Sequence, residues 1–230
     1  MVLAACVFFG SGKKSVPEQH PFPLTEGTTW VYKGTVRWTA VGAPTVMTTN
    51  VEWRTEVRRV IQHVAIRAAI VTGFPSDLNW SNGNPKPQDS LLVESDAKFY
   101  LIAGELDEAI HRLEDPADDL AGLLRDDNLL LQWPLKLNMK FCDPEGMERA
   151  DNRYCWFVAD AGSATLKGIV GASAGGHTEF VLQYRTNPDD TEFNFVPEIG
   201  ITKYSYHHHG TVADTELQLV EFHPAGARKQ

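Results

Sequence analysis

His207-His208-His209 is the densest run of metal-ligating side chains in the sequence. On an extended strand successive side chains face opposite ways, so His207 and His209 share one face and His208 takes the other. Two imidazoles at that spacing can chelate zinc or copper, but a site needs a third ligand and groups that orient the rings. His177, Glu179 or His223 could supply it if their strands lie side by side. The chain would then be a metal-dependent hydrolase using His207 and His209, with His177 as the third ligand. The competing reading is a polar outer face whose histidines stack or cap the turn at Gly210-Thr211. Three ligands must converge for a metal to be held, and no His-x-x-x-His helix or neighbouring cysteine pair frames these. The expectation is therefore no metal and no cofactor at His207, His208 and His209.

Gly171-Ala172-Ser173-Ala174-Gly175 matches G-x-S-x-G. A nucleophile elbow needs a strand before the serine and a helix after it. The next segment, His177 to Val181, alternates as a strand does, so the small residues read as a hairpin turn. Gly10 to Ser15 resembles the end of a phosphate loop, but the upstream glycine is absent. Glu94 to Asp127 carries a net charge of −8 of the whole chain's −9. It contains no spaced Asp-x-Asp-x-Asp-Gly calcium loop. Compensation of helix dipoles and a solvated face account for it, with a cationic partner protein as the third possibility. The overall negative charge excludes a nucleic-acid binder, which needs a basic face.

The three cysteines divide into one and two. Leu3-Ala4-Ala5-Cys6 matches a bacterial lipobox, with small residues before the cysteine that receives the lipid. The polar GSGKKS after it is a flexible tether. Cys142 and Cys155 flank a short Pro-Gly turn, and an oxidising compartment would join them. Such a bridge stabilises by about 3 kcal/mol through the loop it closes. One lipid cysteine and one pair leave no odd thiol. These residues predict export to the cell envelope and a membrane contact through a lipid on Cys6.

The elements that must position these groups are mostly strands. Residues 1–20 read as lipobox and tether, and 21–230 as a single β-rich domain. Strands are predicted from Trp30 to about Thr39, Ser90 to Ala103 as a pair turning at Asp96, and Leu129 to Trp133. Tyr154 to Ala159, Ala164 to Val170 and Thr178 to Arg185 read as three more. Three strands in succession fill Thr191 to Phe222, broken at Pro197 and Gly200. Thr45 to Thr72 holds neither Gly nor Pro. Its apolar positions are odd from Met47 to Val57 and even from Val60 to Ile70. That change of parity requires a bulge or a reversal, and it predicts either a long, strongly bent strand or a hairpin turning near Arg58 to Gln62. One acidic helical insertion is predicted at about 105–125. Leu106, Ile110 and Leu113 have helical spacing, and Asp115-Pro116 restarts the helix. The six tryptophans could line a groove or simply form the core.

Phe22-Pro23-Leu24, Gly27, Trp30 and Tyr32 form an FPLxxGxxWxY opening. Pro197, Gly200, Ile201 and Tyr204 form a PxxGIxxY closing pair of strands, with Glu198 where the pattern often has glycine. Together with Tyr154-Cys155-Trp156 these resemble uncharacterised exported bacterial lipoproteins. The match covers both ends and the cysteine loop but not the middle. The resemblance implies a secreted β-rich fold, in some members a curved sheet that wraps around helices, and no activity. The fold expected is mainly β: a single large antiparallel, strongly curved sheet or open barrel. The function expected is that of a non-catalytic binding module or accessory subunit at the membrane surface, alongside other envelope proteins. The alternatives are a carrier of an apolar ligand or lipid, and the metal-dependent hydrolase above.

Overall fold

The computed structural model describes residues 21–40, 42, 45–81, 83–173 and 175–226, so the expectations for Cys6 and the tether fall outside it. The strands in chain order are β1 (Thr29–Thr39), β2 (Val46–His63), β3 (Ile66–Thr72), β4 (Asp89–Ser95), β5 (Lys98–Ile102) and β6 (Leu129–Gln132). They continue with β7 (Lys140–Phe141), β8 (Trp156–Thr165), β9 (Gly176–Arg185), β10 (Asp189–Val196), β11 (Gly200–His208) and β12 (Ala213–His223). Two helices, α1 (Leu106–Glu114) and α2 (Pro144–Glu148), accompany them. All twelve strands belong to one antiparallel sheet in the order β6-β5-β4-β3-β2-β1-β12-β11-β10-β9-β8-β7. Each half of the chain is a meander of neighbouring strands. The first and last strands join the halves, and the sheet curls until β6 and β7 approach each other across a seam. The indole N–H of Trp156, at the start of β8, donates across it to the carbonyl of Leu129 at 2.9 Å.

Alternation along the strands puts one apolar set inside. Trp30, Tyr32 and Val36 of β1 lie beside Trp53, Thr55 and Val57 of β2, all buried. The polar handles of the aromatics are satisfied without water, as burial demands. Trp30 Nε1 donates to the Ile199 carbonyl at 2.6 Å, Tyr32 Oη to the Ile201 carbonyl at 3.0 Å, and Trp53 Nε1 to the Gly73 carbonyl at 2.9 Å.

The change of parity in β2 is a bulge and not a hairpin. β2 runs unbroken for 18 residues, and its register against β3 slips between Val57 and Arg59. Val57 stays inside opposite Val71, whereas Ile61 and His63 move to the outer face. There they are buried under α1: His63 Nδ1 lies 3.2 Å from the Leu113 carbonyl, and Arg59 pairs with Glu114. Leu91, Val93 and Ala68 share that outer face and are fully buried. The helix therefore packs on the convex side of the sheet, which corrects the expectation of a sheet wrapped around helices.

Two irregular segments fill the interior instead. Pro21 to Leu24 enters one end, where the Phe22 ring lies 5.3 Å from Phe99 and 4.8 Å from Phe195. The Glu198 N–H donates to the Pro21 carbonyl at 2.8 Å. The loop between β3 and β4 enters from the other side, burying Phe74 and Leu78. Thr215 Oγ1 and Tyr204 Oη hold it through the Leu78 carbonyl and Asn79 Oδ1, at 3.1 and 3.0 Å. The space left among Phe22, Leu24, Trp30, Phe74 and Leu92 is about 20 Å³.

Three local expectations change. The helical insertion is helical only from Leu106 to Glu114. Beyond it, Asp115 Oδ1 and Asp118 Oδ1 accept from the N–H groups of Ala117 and Leu120, and this local bonding competes with helix. Leu120 at φ +53° and Gly122 at φ +74° then take left-handed conformations. Tyr154 to Val170 contains one strand, β8, rather than two. The short helix α2 was not predicted, although Asp143 caps it by accepting from Gly146 N at 2.9 Å and Pro144 opens it. Glu198 stands at φ +68°, which is why glycine is favoured at that place in the closing pattern.

Candidate functional site

His207, His208 and His209 sit at one end of the barrel, each against one or two carboxylates of the neighbouring strands. His207 points outward between Asp214 (3.3 Å) and Glu216 (2.9 Å) of β12. His209 reaches the other way, to Asp190 of β10 at 3.0 Å. His208 turns inward, where its ring lies 4.2 Å from that of Trp80 and Nδ1 is 2.8 Å from Asp189 Oδ1. Burial works against the Asp189 charge, but the Tyr206 hydroxyl at 2.6 Å and His208 outweigh it and hold the carboxyl below its usual range. Burial, then the hydrogen bond to Asp189, pushes the Tyr206 phenol upward.

His177 does not join them. It lies at the start of β9, whereas His207 is level with Arg185 at the far end of that strand. Eight residues of strand separate the two levels by roughly 26 Å. His223 is likewise at the opposite end of β12 from Asp214, the residue level with His207. The trio His207, His209 and His177 is thus split by the stagger of the strands. Among the described residues no three His, Cys, Asp or Glu side chains are grouped so as to hold a metal.

Ser173 lies in the connection from β8 to β9, 3.1 Å from His177 Nε2. The same nitrogen is 3.2 Å from the Ser173 carbonyl. The contact closes a turn, and the chain continues as a strand rather than a helix, so the elbow geometry is not met. Cys142 and Cys155 are brought together with their Cα atoms 4.8 Å apart. Gly146 of α2 packs directly on both sulfurs, where a Cβ would come within 2.7 and 2.9 Å. The acidic stretch is tied up locally, with Arg112 forked onto Asp118 and Arg125 paired with Asp127.

Asp77, in the 3-10 turn Pro75–Leu78, is half buried and accepts from Gln88 N at 2.8 Å. Burial pushes its carboxyl up to about 6, against the pull of the Gln88 hydrogen bond and with help from the neighbouring Asp89. The folded state therefore prefers the protonated acid, and stability falls as pH rises from 3.8 towards 6. Asp77→Asn keeps the acceptor and removes the charge. Its melting temperature is expected to exceed that of the parent near neutral pH, with the difference closing as the pH approaches 4. An equal gain at both pH values would remove Asp77 ionisation as the cause.

Sequence reasoning did not assemble the cleft at the seam. It holds about 340 Å³ between β5–β6 and β7–β9 and is lined by Tyr154, Trp156, Tyr184, Asp126, Asp127 and Asp143, among others. Trp156 and Tyr184 face each other with ring centres 5.2 Å apart. In the sequence Asp127 closes the acidic stretch and Tyr154 stands beside Cys155, far apart along the chain. Only the long-range closure of the sheet puts them in one place.

Fold and clefts together define an antiparallel meander barrel, its interior among the described residues packed by Phe22, Leu24, Phe74 and Leu78, with recesses on the rim. No protein-family model matches the sequence, and no curated protein does. Among solved structures, a candidate exported protein with a YmcC-like fold from Bacteroides fragilis is 13% identical over 89% of this chain and 99% of its own, with a TM-score of 0.42. A candidate lipoprotein from Parabacteroides distasonis is 12% identical over 89% of this chain and 99% of its own, with a TM-score of 0.38.

Proposed function

We propose that this chain is an exported protein of the cell envelope, anchored by a lipid on Cys6 and acting without catalysis as a binding module or accessory subunit at the membrane surface. The observation that carries the binding-surface reading is the filled interior. A space of about 20 Å³ has room for a single water molecule. A site for a small organic ligand needs about 300 Å³ or more. Recognition then falls to the outside and the seam. The address is supported by Leu3-Ala4-Ala5-Cys6, by the tether after it, and by the closeness of Cys142 and Cys155.

Intact mass of the protein extracted from native membranes tests the address. A mature chain beginning at a diacylglyceryl Cys6, with Cys142 and Cys155 oxidised, is the expected result. An unmodified Met1 start, or two free thiols in the extracted protein, would overturn it. The carrier reading requires Phe22 and Leu24 to leave the interior to a lipid. Native mass spectrometry of the same extract should show no co-purifying lipid beyond the one attached to Cys6.

A further inference from the structure

We propose that the barrel end carrying the turn between β2 and β3 faces the lipid bilayer and seats Val64 in it, an inference that rests on the membrane-anchored reading above. Only Val64 and Ala65 lie beyond the last pair of that ladder, His63 with Ile66. Val64 is 81% exposed, the most of any large apolar side chain among the described residues. It also stands at φ +50°, an outlying conformation for a β-branched residue. Two-residue hairpin turns favour asparagine, aspartate or glycine at such a place. Backbone held against its own preference concentrates where a side chain serves a contact.

Three observations point to a bilayer as the occupant. First, the chain enters the barrel at this end. Arg67 donates to the Leu24 carbonyl at 2.5 Å, and Thr25 shares a recess with Gln62, Ala65 and Asp96. Cys6 precedes Pro21 by fifteen residues, which reach about 50 Å at most. A lipid on Cys6 therefore pulls on the barrel at this rim and not at the opposite one. Second, Gln62 Nε2 donates to the Val64 and Ile66 carbonyls at 3.0 and 3.1 Å. An open carbonyl is costly where water is scarce, and these two are already satisfied. Third, charge around the turn is balanced. Arg67 and Lys98 stand with Glu94 and Asp96 on β3 to β5 and the turn between β4 and β5, and Arg59 is paired with Glu114 on the outer side. With no net charge to select or repel a headgroup, the contact is apolar. The connection from β8 to β9 turns at the same end and adds Val170 at 59% exposure. Val46, Met47 and Trp80 are also exposed, but they lie at the opposite end, where Trp80 already packs on His208.

The test uses the full chain with Cys6→Ser and an N-terminal hexahistidine tag, held on phosphatidylcholine vesicles by a nickel-chelating lipid. Ala65→Cys carries the polarity-sensitive dye NBD. On vesicles the dye should shift to the blue and be quenched by doxyl-labelled lipid, equally at low and high salt. Val64→Asn suits the left-handed turn, so that variant should melt at or above the parental temperature. Burying one valine side chain favours the seated state about tenfold or more, and Val64→Asn should lower the seated-to-free ratio by at least that factor. A dye on His209→Cys, at the opposite end, should stay in water. No quenching at Ala65→Cys, quenching that Val64→Asn leaves unchanged, or stronger quenching at His209→Cys overturns the proposal. A signal lost in high salt would overturn the apolar contact, and a blue shift without vesicles as protein concentration rises would assign the turn to a second copy of the chain. The chelating tether replaces the native lipid, so an unmodified Cys6 in native membranes would sink the address alone. A lipid on Cys6 with the dye still in water would sink the orientation alone.

Discussion

Gly34→Val should leave no cooperatively folded protein. Gly34 lies in β1 opposite Val51 of β2 on one side and Leu217 of β12 on the other. A Cβ there would come within 1.7 Å of the Glu216 carbonyl oxygen and 2.9 Å of the Leu217 Cα. Both are backbone atoms, so no side-chain rotation relieves the clash. The strands would have to part at the ladder that joins the two halves of the sheet. Overpacking of a core costs about 1–3 kcal/mol when side chains can adjust, and more when they cannot. Gly34→Ala is expected to lose at least about 3 kcal/mol in urea unfolding, and the valine variant to lose the transition. Gly162 of β8 is the control, because a Cβ there meets nothing within 4 Å. A Gly34→Ala midpoint as close to the parent as that of Gly162→Ala would sink the prediction.

Phe22→Ala should remove about 3–5 kcal/mol of stability, the range for truncating a buried phenylalanine. The ring is 3% exposed and touches rings from both halves of the sheet, Phe99 of β5 and Phe195 of β10. The hydrogen bond from Glu198 N to the Pro21 carbonyl keeps the segment in place, so the hole would not readily collapse. Urea unfolding of the purified variant decides it. A loss below about 1 kcal/mol would mean that Phe22 does not plug the barrel.

Strand order along the chain was legible because alternation is local. Trp30 and Tyr32, or Phe193 and Phe195, announce a buried face within a few residues. The parity change after Val57 was legible too, but its form was not. A bulge and a hairpin leave the same pattern of apolar positions, and only a helix covering Ile61 and His63 from outside decides between them. Asp115-Pro116 carries a helix-start signal that local side-chain bonding overrides, since Asp115 and Asp118 accept from N–H groups two residues on and Arg112 holds Asp118 in that turn. The relation of His177 to His207 depended on stagger between strands, which no single strand records. The seam cleft was the least accessible of all. It needs residues from β5 to β9 to converge, and neither propensity nor period encodes that.

The pairing of β1 with β12 bears on how the chain finds its fold. Trp30 and Phe222 are ladder partners although nearly two hundred residues separate them. Every other ladder links strands adjacent in sequence, the kind of contact that forms quickly. Each half can therefore zip up hairpin by hairpin, while the final join must bring distant ends together at a loop-closure entropy of roughly 4–5 kcal/mol. A circular permutant, opened between β6 and β7 and joined between β12 and β1, would cross the same sheet strand by strand. Its slowest native contact would become a hairpin, so it should refold faster than the parent while unfolding from the same barrel.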